Sequence, residues 1–350
     1  MNAPATGVAL HVAARRPPVS VVIPARDCAA QLGECLEAVN AQIYTGKLDV
    51  LVAVAPSSDD TALCARNARC AWPLQVVENP AGTTSSGLNL AIGAATGEVI
   101  VRVDAQARLP PDYVERAVAA MERTGAANVG GVQRPVGGCK VSRIIAAALA
   151  SPFGGGPAAF RRGRTEGPVD TVYLGVFDAA ALACVGGFDE SLERNQDYEL
   201  NWRLREQGLL VWLDPSLVVD YQPRSSWAGL ARQYFDYGAA KRVVISRHPR
   251  STRPRQLVAP ALAIGLALSA VELARGRRRG GIVPVVYLGA CTLAASRLRS
   301  KLPAWSDRVR ATAAFAVMHL AWGAGMLCGR PRWHRKRTGR ASRRHRGAGR

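Results

Sequence analysis

Two acidic segments carry the side chains most able to do chemistry. Asp104 follows an apolar run at residues 99–103, and Asp197 and Glu199 open a segment with a helical pattern. The apolar run predicts a buried strand that delivers Asp104 to its carboxyl edge, and acidic residues in a first turn are typical of a helix start. Two carboxylates that face one cleft suit a metal-assisted group transfer.

Strands and helices alternate along the part of the chain that carries these carboxylates. Apolar runs predict strands at 19–23, 49–55, 73–77, 99–103, 169–177, 209–213 and 217–221, and helical patterns predict helices at 27–42, 86–95, 196–207 and 225–247. Two more helices are expected to begin at 57–61 and 110–112. This alternation predicts an α/β fold with a mostly parallel sheet. Ligands of such sheets bind beyond the carboxyl ends of the strands, where Arg26, Asp59 and Asp104 are expected.

Composition divides the chain into two parts. The chain has 350 residues, 48% of them hydrophobic, and a formal net charge of +20. Basic residues crowd beyond position 232, whereas most acidic residues lie before it, so the first part resembles a soluble domain and the second indicates an anionic partner. The eight cysteines show neither a CxxC spacing nor paired histidines. Neither a disulfide framework nor a zinc site is therefore indicated.

Three apolar segments between the basic clusters favour a membrane as that partner. They cover 257–274, 281–296 and 311–328, and the middle one falls short of the roughly 17–25 residues of a membrane span. Lys or Arg flanks every segment, so the positive-inside rule fixes no topology, and re-entrant or interfacial helices stay open beside a soluble helical packing domain. The N-terminus lacks the apolar part of a signal peptide, which predicts a cytoplasmic first domain.

Two basic segments lack hydrophobic periodicity. The tail at 330–350 is predicted to be disordered and to contact anionic lipid headgroups, and nucleic-acid binding is a weaker alternative because no recognition fold accompanies it. The segment 151–168, which contains Arg161, Arg162 and Arg164, is expected to be a loop. It is either a positively charged lid over an anionic substrate or a solvated basic loop.

Six segments resemble, in order and spacing, the inverting family 2 glycosyltransferases, and among them the membrane-bound transferases of bacterial exopolysaccharide assembly, of the succinoglycan type. The resemblance covers residues 18–242, and each motif alone is weak. The segments are Val21-Val22-Ile23-Pro24-Ala25-Arg26-Asp27, Ser57-Ser58-Asp59-Asp60-Thr61, Gly87-Leu88-Asn89-Leu90-Ala91, Gly97-Glu98-Val99-Ile100-Val101-Arg102-Val103-Asp104-Ala105, Gly186-Gly187-Phe188-Asp189-Glu190 and Asp197-Tyr198-Glu199-Leu200-Asn201-Trp202-Arg203-Leu204.

This resemblance implies a GT-A fold, a nucleotide-diphosphate sugar as donor, and transfer with inversion at the anomeric carbon. It places Pro24, Arg26 and Asp59 in the nucleotide pocket. Asp104 matches the first aspartate of the family's Asp-x-Asp motif, which binds the nucleotide sugar through a divalent cation, Mg²⁺ or Mn²⁺. Asp197 matches the general base, which removes the proton of the acceptor hydroxyl. Glu199 is expected to orient the helix or to contact the acceptor or the diphosphate.

Three departures from the family pattern limit these expectations. Ala55-Pro56 stands where an aspartate usually follows the second strand, and Gln106 replaces the second carboxylate of the metal motif, which predicts weaker cation binding. The Gln-x-x-Arg-Trp motif of processive relatives is absent, which argues for one sugar per encounter. Gln233 and Tyr237 occupy that region, where they either contact the acceptor or diphosphate or only pack the helix. Arg224 and Lys241 are further candidates for phosphate contact, against a solvated surface role.

These expectations give a domain plan and a function. The plan has a disordered N-terminus at 1–17, a GT-A domain at 18–248, membrane-associated helices at 256–328 and a basic disordered tail at 329–350. The expected function is transfer of a single sugar to a lipid-linked or envelope acceptor at the inner face of the cell membrane. The alternative is a catalytically silent scaffold of glycan assembly, which Ala55 and Gln106 favour.

Overall fold

The computed structural model of the protein describes residues 16–156, 158–163 and 165–329. The predicted disorder at 1–15 and 330–350 lies outside the described residues. One mixed sheet organises the first part, with strands in the order β3-β2-β1-β4-β7-β5-β8-β6. The strands are β1 Val19–Ala25, β2 Leu48–Val54, β3 Leu74–Glu78, β4 Val99–Arg102, β5 Asn128–Pro135, β6 Gly167–Pro168, β7 Tyr173–Asp178 and β8 Val211–Tyr221.

The central strands pair in parallel, as the alternation of elements predicts. β1 pairs in parallel with β2 and β4, and β2 pairs in parallel with β3. The antiparallel strand β7 lies between β4 and β5, and β5 pairs in parallel with β8. β1, β2 and β4 are almost wholly buried Val, Ile and Leu runs, which is typical of strands covered on both faces.

Thirteen helices are described, and they cover both faces of the sheet before forming a bundle. They are α1 Ala29–Asn40, α2 Thr61–Arg66, α3 Thr84–Ala94, α4 Tyr113–Thr124, α5 Lys140–Leu149, α6 Pro152–Gly155, α7 Ala159–Arg162, α8 Ala179–Cys184, α9 Gln196–Glu206, α10 Trp227–Arg247, α11 Val258–Ala274, α12 Ile282–Ser296 and α13 Trp305–Cys328. One core lies between the sheet and α1 and α4, and a second lies between the sheet and α3, α8 and α9.

Three local expectations are wrong, and two elements were missed. The two strands expected at 209–213 and 217–221 are one strand, β8, because the turn in which Asp214 accepts a hydrogen bond from the Ser216 amide is a bulge within it. The strand expected from 169 begins at Tyr173. The loop expected at 151–168 contains the short helices α6 and α7 and the edge strand β6. Strand β5 and helix α5 were not predicted.

The C-terminal helices are long and apolar enough to cross a membrane. Pro254–Ala274, Arg278–Ser296 and Trp305–Cys328 qualify by length and hydropathy, and the second has 19 residues once its preceding 3-10 turn is counted. The expectation that the middle segment is too short is therefore wrong. Most of the first two helices is exposed, as lipid-facing helices would be.

Candidate active site

Arg102 joins the two carboxylates that the sequence places in one cleft. Its Nη2 donates to Asp104 Oδ1 at 2.9 Å, and its Nη1 donates to Asp197 Oδ1. The arginine is 5% exposed, whereas the side chains of Asp104 and Asp197 are 27% and 41% exposed. A buried guanidinium therefore holds two partly exposed carboxylates side by side.

The ends of two elements bring these groups together. Asp104 follows β4, and Val103 still donates its amide to Val22 of β1, so Asp104 lies at the carboxyl edge of the sheet. Asp197 lies in the first turn of α9, and Asn195, the residue directly before this helix, is in the left-handed region with a φ of 58°. Asn195 Nδ2 donates to the Tyr237 carbonyl at 3.1 Å, which fixes this helix start against α10.

The segment before α9 is fixed by hydrogen bonds from two helices. Asn89 of α3 accepts from the Phe188 amide and donates to the Phe188 carbonyl, both at 2.8 Å. Arg203 of α9 donates to the Gly187 carbonyl at 2.7 Å. Phe188 is buried, and the Arg102 guanidinium lies 5.7 Å from its ring centroid. Asn89 and Gly187 thus fix the position of Phe188, against which Arg102 packs.

Glu199 lies inside the helix packing and faces away from solvent. Its side chain is 3% exposed, and its two oxygens accept from Arg203 Nε and Nη2, each at 2.7 Å. His248 Nε2 lies 3.0 Å from Glu199 Oε1. Of the two roles expected for Glu199, these contacts favour orientation of the helix. A contact with the acceptor or the diphosphate stays a prediction.

A cavity of about 300 Å³ opens at the carboxyl ends of β2 and β3. Asp59, Ala55 and Asn79 line it. Asp59 is exposed, but Oδ2 accepts from the Ala29 amide at 3.0 Å and Oδ1 accepts from Thr61 Oγ1 at 2.5 Å. These hydrogen bonds, the Ala29 amide first, hold the pKa of Asp59 below its usual range. Asp59 therefore joins the loops after β1 and β2 at the cavity wall.

The residues at the end of β1 lie beside this cavity. Pro24 is half-buried within the strand, in register with Ala53 of β2. Arg26 is exposed, and its Nη1 donates to the Gly82 carbonyl at 3.1 Å. Gly82 itself has a φ of 72° and lies close to Pro56. Arg26 thus reaches across the carboxyl edge toward the loop after β3.

Gln233 of α10 contacts two tyrosine hydroxyls, one at the end of β8 and one on α10 itself. Gln233 Nε2 donates to Tyr221 Oη at 2.9 Å and to Tyr237 Oη at 3.0 Å. Arg161, from the segment considered as a lid, donates to Tyr234 Oη at 3.3 Å. These contacts anchor the Arg161 side chain on α10.

The two further phosphate candidates have different surroundings. Arg224 is exposed, whereas Lys241 is 4% exposed. Lys241 therefore does not have the solvated surface role, and its environment is described below.

The chain resembles known proteins both in sequence and in structure. The family described as Glycosyl transferase family 2 matches residues 20–185, which include β1, β4 and Asp104. Over these residues the chain is similar to the family 2 glycosyl transferases. The chain is 29% identical to the succinoglycan biosynthesis protein ExoA of Rhizobium meliloti over 318 residues, 87% of this chain and 92% of that protein. The recognition made from the sequence motifs is confirmed.

Two more relatives show how far the likeness extends. A glucuronosyltransferase of Methanococcus voltae, named for a dolichyl N-acetyl-glucosaminyl phosphate substrate, is 23% identical over 65% of this chain and 74% of its own length. The solved structure of a mannosyltransferase from Pyrobaculum calidifontis in complex with GDP-Man and Mn²⁺ has a TM-score of 0.61 at 21% identity, covering 88% of each chain. This structural likeness confirms the predicted GT-A fold.

The resemblance to family 2 implies a divalent cation, and of the two carboxylates of the family's metal motif this chain has Asp104. Among the described residues, no group of three or more His, Cys, Asp or Glu side chains is placed to hold a metal ion. Asp104 Oδ1 accepts from Arg102, and Gln106 is exposed two residues on. One carboxylate fits Mg²⁺ or Mn²⁺ only where substrate phosphates complete the shell, as is common for Mg²⁺.

Arg102 and Asn89 are the site residues that sequence reasoning did not single out. Both lie within the segments that resemble the family, but no role was assigned to either. The available signal for Arg102 was its charge, because it interrupts the apolar run of β4 directly before Asp104. A charged residue in a buried strand is rare unless it is paired.

Proposed function

We propose that this protein transfers one sugar from a nucleotide-diphosphate donor to a lipid-linked or cell-envelope glycan acceptor, with inversion at the anomeric carbon. The observation that carries the proposal is the contact of Arg102 with both Asp104 and Asp197 at the carboxyl edge of the sheet. The cavity bounded by Asp59 and Asn79 opens at the same edge and offers space for the nucleotide.

Asp197 is the proposed general base. In a single displacement, the acceptor oxygen forms its bond to the anomeric carbon while the bond from that carbon to the diphosphate oxygen breaks. The acceptor proton passes to the Asp197 carboxylate. Arg102 holds this carboxylate in place, and Glu199 fixes the helix that carries it through Arg203 and His248.

Asp104 is the proposed ligand for Mg²⁺ or Mn²⁺, with Gln106 as a weaker neighbour. The cation would neutralise charge on the leaving diphosphate. Pro24, Arg26 and Asp59 are the proposed wall of the nucleotide pocket, and Gln233 and Tyr237 are proposed to face the acceptor or the diphosphate. Their hydroxyl and amide groups lie on α10, which contacts the start of the Asp197 helix through Asn195.

The acceptor is assigned from the membrane helices and the relatives. We propose a catalytic domain at 18–248 on the cytoplasmic side of the cell membrane, membrane helices at 256–328, and a tail at 329–350 that contacts anionic lipids. The three apolar helices support a membrane location. The names of two relatives point to polysaccharide assembly and to a dolichyl phosphate substrate, which supports a lipid-linked acceptor.

Donor turnover in membranes that contain the full chain tests the proposal. A panel of nucleotide sugars is screened for release of nucleoside diphosphate, with and without chelation of divalent cations. We expect Asp197→Asn to lower turnover by about 10²–10⁴-fold, the usual contribution of a general base. Asp112→Asn, which removes a carboxylate paired with Arg116 on α4, is the matched control and should leave turnover unchanged.

Turnover of the variants and calorimetry of nucleotide binding together distinguish an enzyme from a scaffold. Unchanged turnover in both Asp197→Asn and Asp104→Ala would contradict the site assignment. The scaffold alternative is favoured by the exposed Gln106 and by Ala55 in the cavity wall. It predicts that calorimetry detects no binding of UDP or GDP in the presence of Mg²⁺ or Mn²⁺.

A further inference from the structure

A cluster of cationic side chains lies on the flank of α9, and the proposed transfer reaction uses none of them. Arg205, Arg253 and Arg255 surround the carboxylate of Asp170, with distances of 3.3, 2.8 and 3.1 Å. Lys241 of α10 lies behind them, with its Nζ 3.3 Å from the centroid of the Tyr198 ring. Among the described residues, Asp170 is the one carboxylate in contact with this cluster, so positive charge is in excess.

Several donors of this cluster have no hydrogen-bond partner among the described residues. They are Lys241 Nζ, Arg205 Nε, Arg205 Nη2 and Ser251 Oγ, all buried. A buried cation without a counter-charge is costly, and a further anion would offset that cost. Tyr198, whose hydroxyl donates to the Ser251 carbonyl at 2.7 Å, holds the cluster together without neutralising it.

An open groove of about 450 Å³ lies beside the cluster. Asp170, Thr171 and Arg255 line its polar side, and Ala158, Ala159 and Pro168 line its apolar side. Thr171 Oγ1 accepts from Asn201 Nδ2 at 2.8 Å, so its own hydroxyl proton is available to an acceptor in the groove. The groove thus combines the Arg255 guanidinium, the Asp170 carboxylate, a hydroxyl and apolar surface, and Lys241, Arg205 and Arg253 lie around Asp170 at its border.

The position of the groove indicates which kind of anion it meets. Arg253 and Arg255 lie at the start of the first candidate membrane span, Pro254–Ala274. The end of a span lies at the level of the lipid headgroups, where basic pockets bind phosphate. We propose that Lys241, Arg205, Arg253 and Arg255 form a binding site for the anionic phosphate of a membrane lipid. The site is separate from the Asp104–Arg102–Asp197 cleft.

Protonation of Lys241 should couple lipid binding to pH. Burial, followed by the nearby charge of Arg255, lowers the pKa of Lys241 to about 7, and Asp170 acts in the opposite direction. The groups that face it are Tyr198 and Arg205 of α9, Asp170, Arg253 and Arg255. A bound phosphate favours the charged ammonium, so affinity should be highest below pH 7 and should fall as pH rises through that value.

Thermal unfolding of the full chain in a neutral detergent tests the site. Short-chain phosphatidylglycerol at pH 6 is expected to raise the melting temperature of the wild type. Lys241→Met should weaken the apparent affinity about tenfold, the effect of losing one charge-assisted hydrogen bond. Because methionine removes an unpaired buried charge, this variant should fold at least as stably without lipid. Arg232→Met removes an exposed charge from the same helix and is the matched control.

A pH series and a second lipid identify the group that titrates and the source of the phosphate. Phosphatidylglycerol keeps one negative charge between pH 6 and 8.5, so a change in affinity across this interval comes from the protein. The affinity of the wild type for this lipid should fall as Lys241 loses its proton, whereas that of Lys241→Met should not. A prenyl phosphate that binds more tightly than phosphatidylglycerol, with the same loss in Lys241→Met, would identify the lipid as a sugar carrier.

Three results would overturn the proposal. In the first, phosphatidylglycerol raises the melting temperatures of wild type, Lys241→Met and Arg255→Gln equally. In the second and third, inorganic phosphate or phosphatidylcholine raises the melting temperature of the wild type as much as phosphatidylglycerol does. None of these measurements requires transferase activity.

Discussion

Arg102 decides how two acidic residues can share one cleft. Its guanidinium is buried between β4 and Phe188, and its two terminal nitrogens reach different carboxylates, Asp104 and Asp197. A lysine ammonium lacks the planar fork and serves such a pair less well. Because one positive charge offsets two negative charges, the site keeps a net negative charge that can take up a proton or a cation.

We expect Arg102→Met to reduce donor turnover by lowering kcat about 10–100-fold, because Asp197 loses the group that fixes it. If Arg102 acts through Asp197, the double variant Arg102→Met/Asp197→Asn should lose no more activity than Asp197→Asn alone. Steady-state kinetics of the two single variants and the double variant check this, with melting temperatures to show that each variant folds. Losses that multiply in the double variant would mean that Arg102 contributes independently.

The two carboxylates of this site could be predicted from the sequence, whereas the Arg102 guanidinium that contacts both could not. Asp104 and Asp197 follow a buried strand and open a helix, and both positions can be recognised from patterns along the chain. Their meeting depends on the Arg102 side chain, which contacts Asp197, 95 positions further along the chain. Local periodicity contains no information about such a contact. The use of both Asp59 oxygens as local hydrogen-bond acceptors was equally hidden.

At the scale of elements, the Gly186-Gly187 turn controls the loop that supports Arg102. Both glycines have positive φ, 76° and 70°. A Cβ on Gly186 would meet no atom within 4 Å, whereas one on Gly187 would lie 2.8 Å from Asn89 Oδ1. The two positions therefore separate backbone strain from the loss of the Asn89 clamp on Phe188.

We expect Gly186→Ala to cost about 1–2 kcal/mol of stability, the price of a left-handed alanine. Gly187→Ala should cost about 1–3 kcal/mol more, because it also displaces the half-buried Asn89 side chain from its hydrogen bonds to Phe188. Only Gly187→Ala should lower donor turnover as well, since Phe188 lies under Arg102. Melting temperatures and turnover of the two variants, measured side by side, check this. Equal effects at both positions would show that the Asn89 clamp is unimportant.

The elements missed by sequence reasoning have a common physical cause. β5 contains Gly130 and Gly131 where a strand usually carries apolar side chains, and a Cβ on Gly131 would lie 1.7 Å from the Leu217 carbonyl oxygen. Close approach to β8 therefore requires glycine and removes the alternating pattern. Helix α5 is buried on nearly every side, because it packs against α13 far along the chain. Its polar residues are confined to the first four positions, and residues 144–149 are all apolar.

At the scale of the whole molecule, two of the three candidate membrane-spanning helices share a hydrophobic core with the α/β domain. This third core combines residues of α5 and α10 with residues of α12 and α13. Its largest buried side chains include Ile144, Ile145 and Phe315, and the rings of Phe153 and Phe315 lie 5.1 Å apart. The boundary proposed between 248 and 256 therefore divides the sequence but does not separate two independently packed units.

Glycines allow the close contact between α10 and α13 that joins the two parts. A Cβ on Gly325 would lie 2.1 Å from the Phe235 carbonyl oxygen, whereas one on Gly289 of α12 would meet no atom within 4 Å.

Gly325→Ala should therefore cost about 1–3 kcal/mol through overpacking, and Gly289→Ala should be neutral or slightly stabilising. Because α10 also carries Tyr237, whose carbonyl accepts from Asn195 at the start of the Asp197 helix, Gly325→Ala should lower donor turnover too. Melting temperature and turnover of the full chain in membranes measure both effects. A Gly325→Ala protein that matches Gly289→Ala in both would show that the membrane helices anchor the catalytic domain without positioning its site.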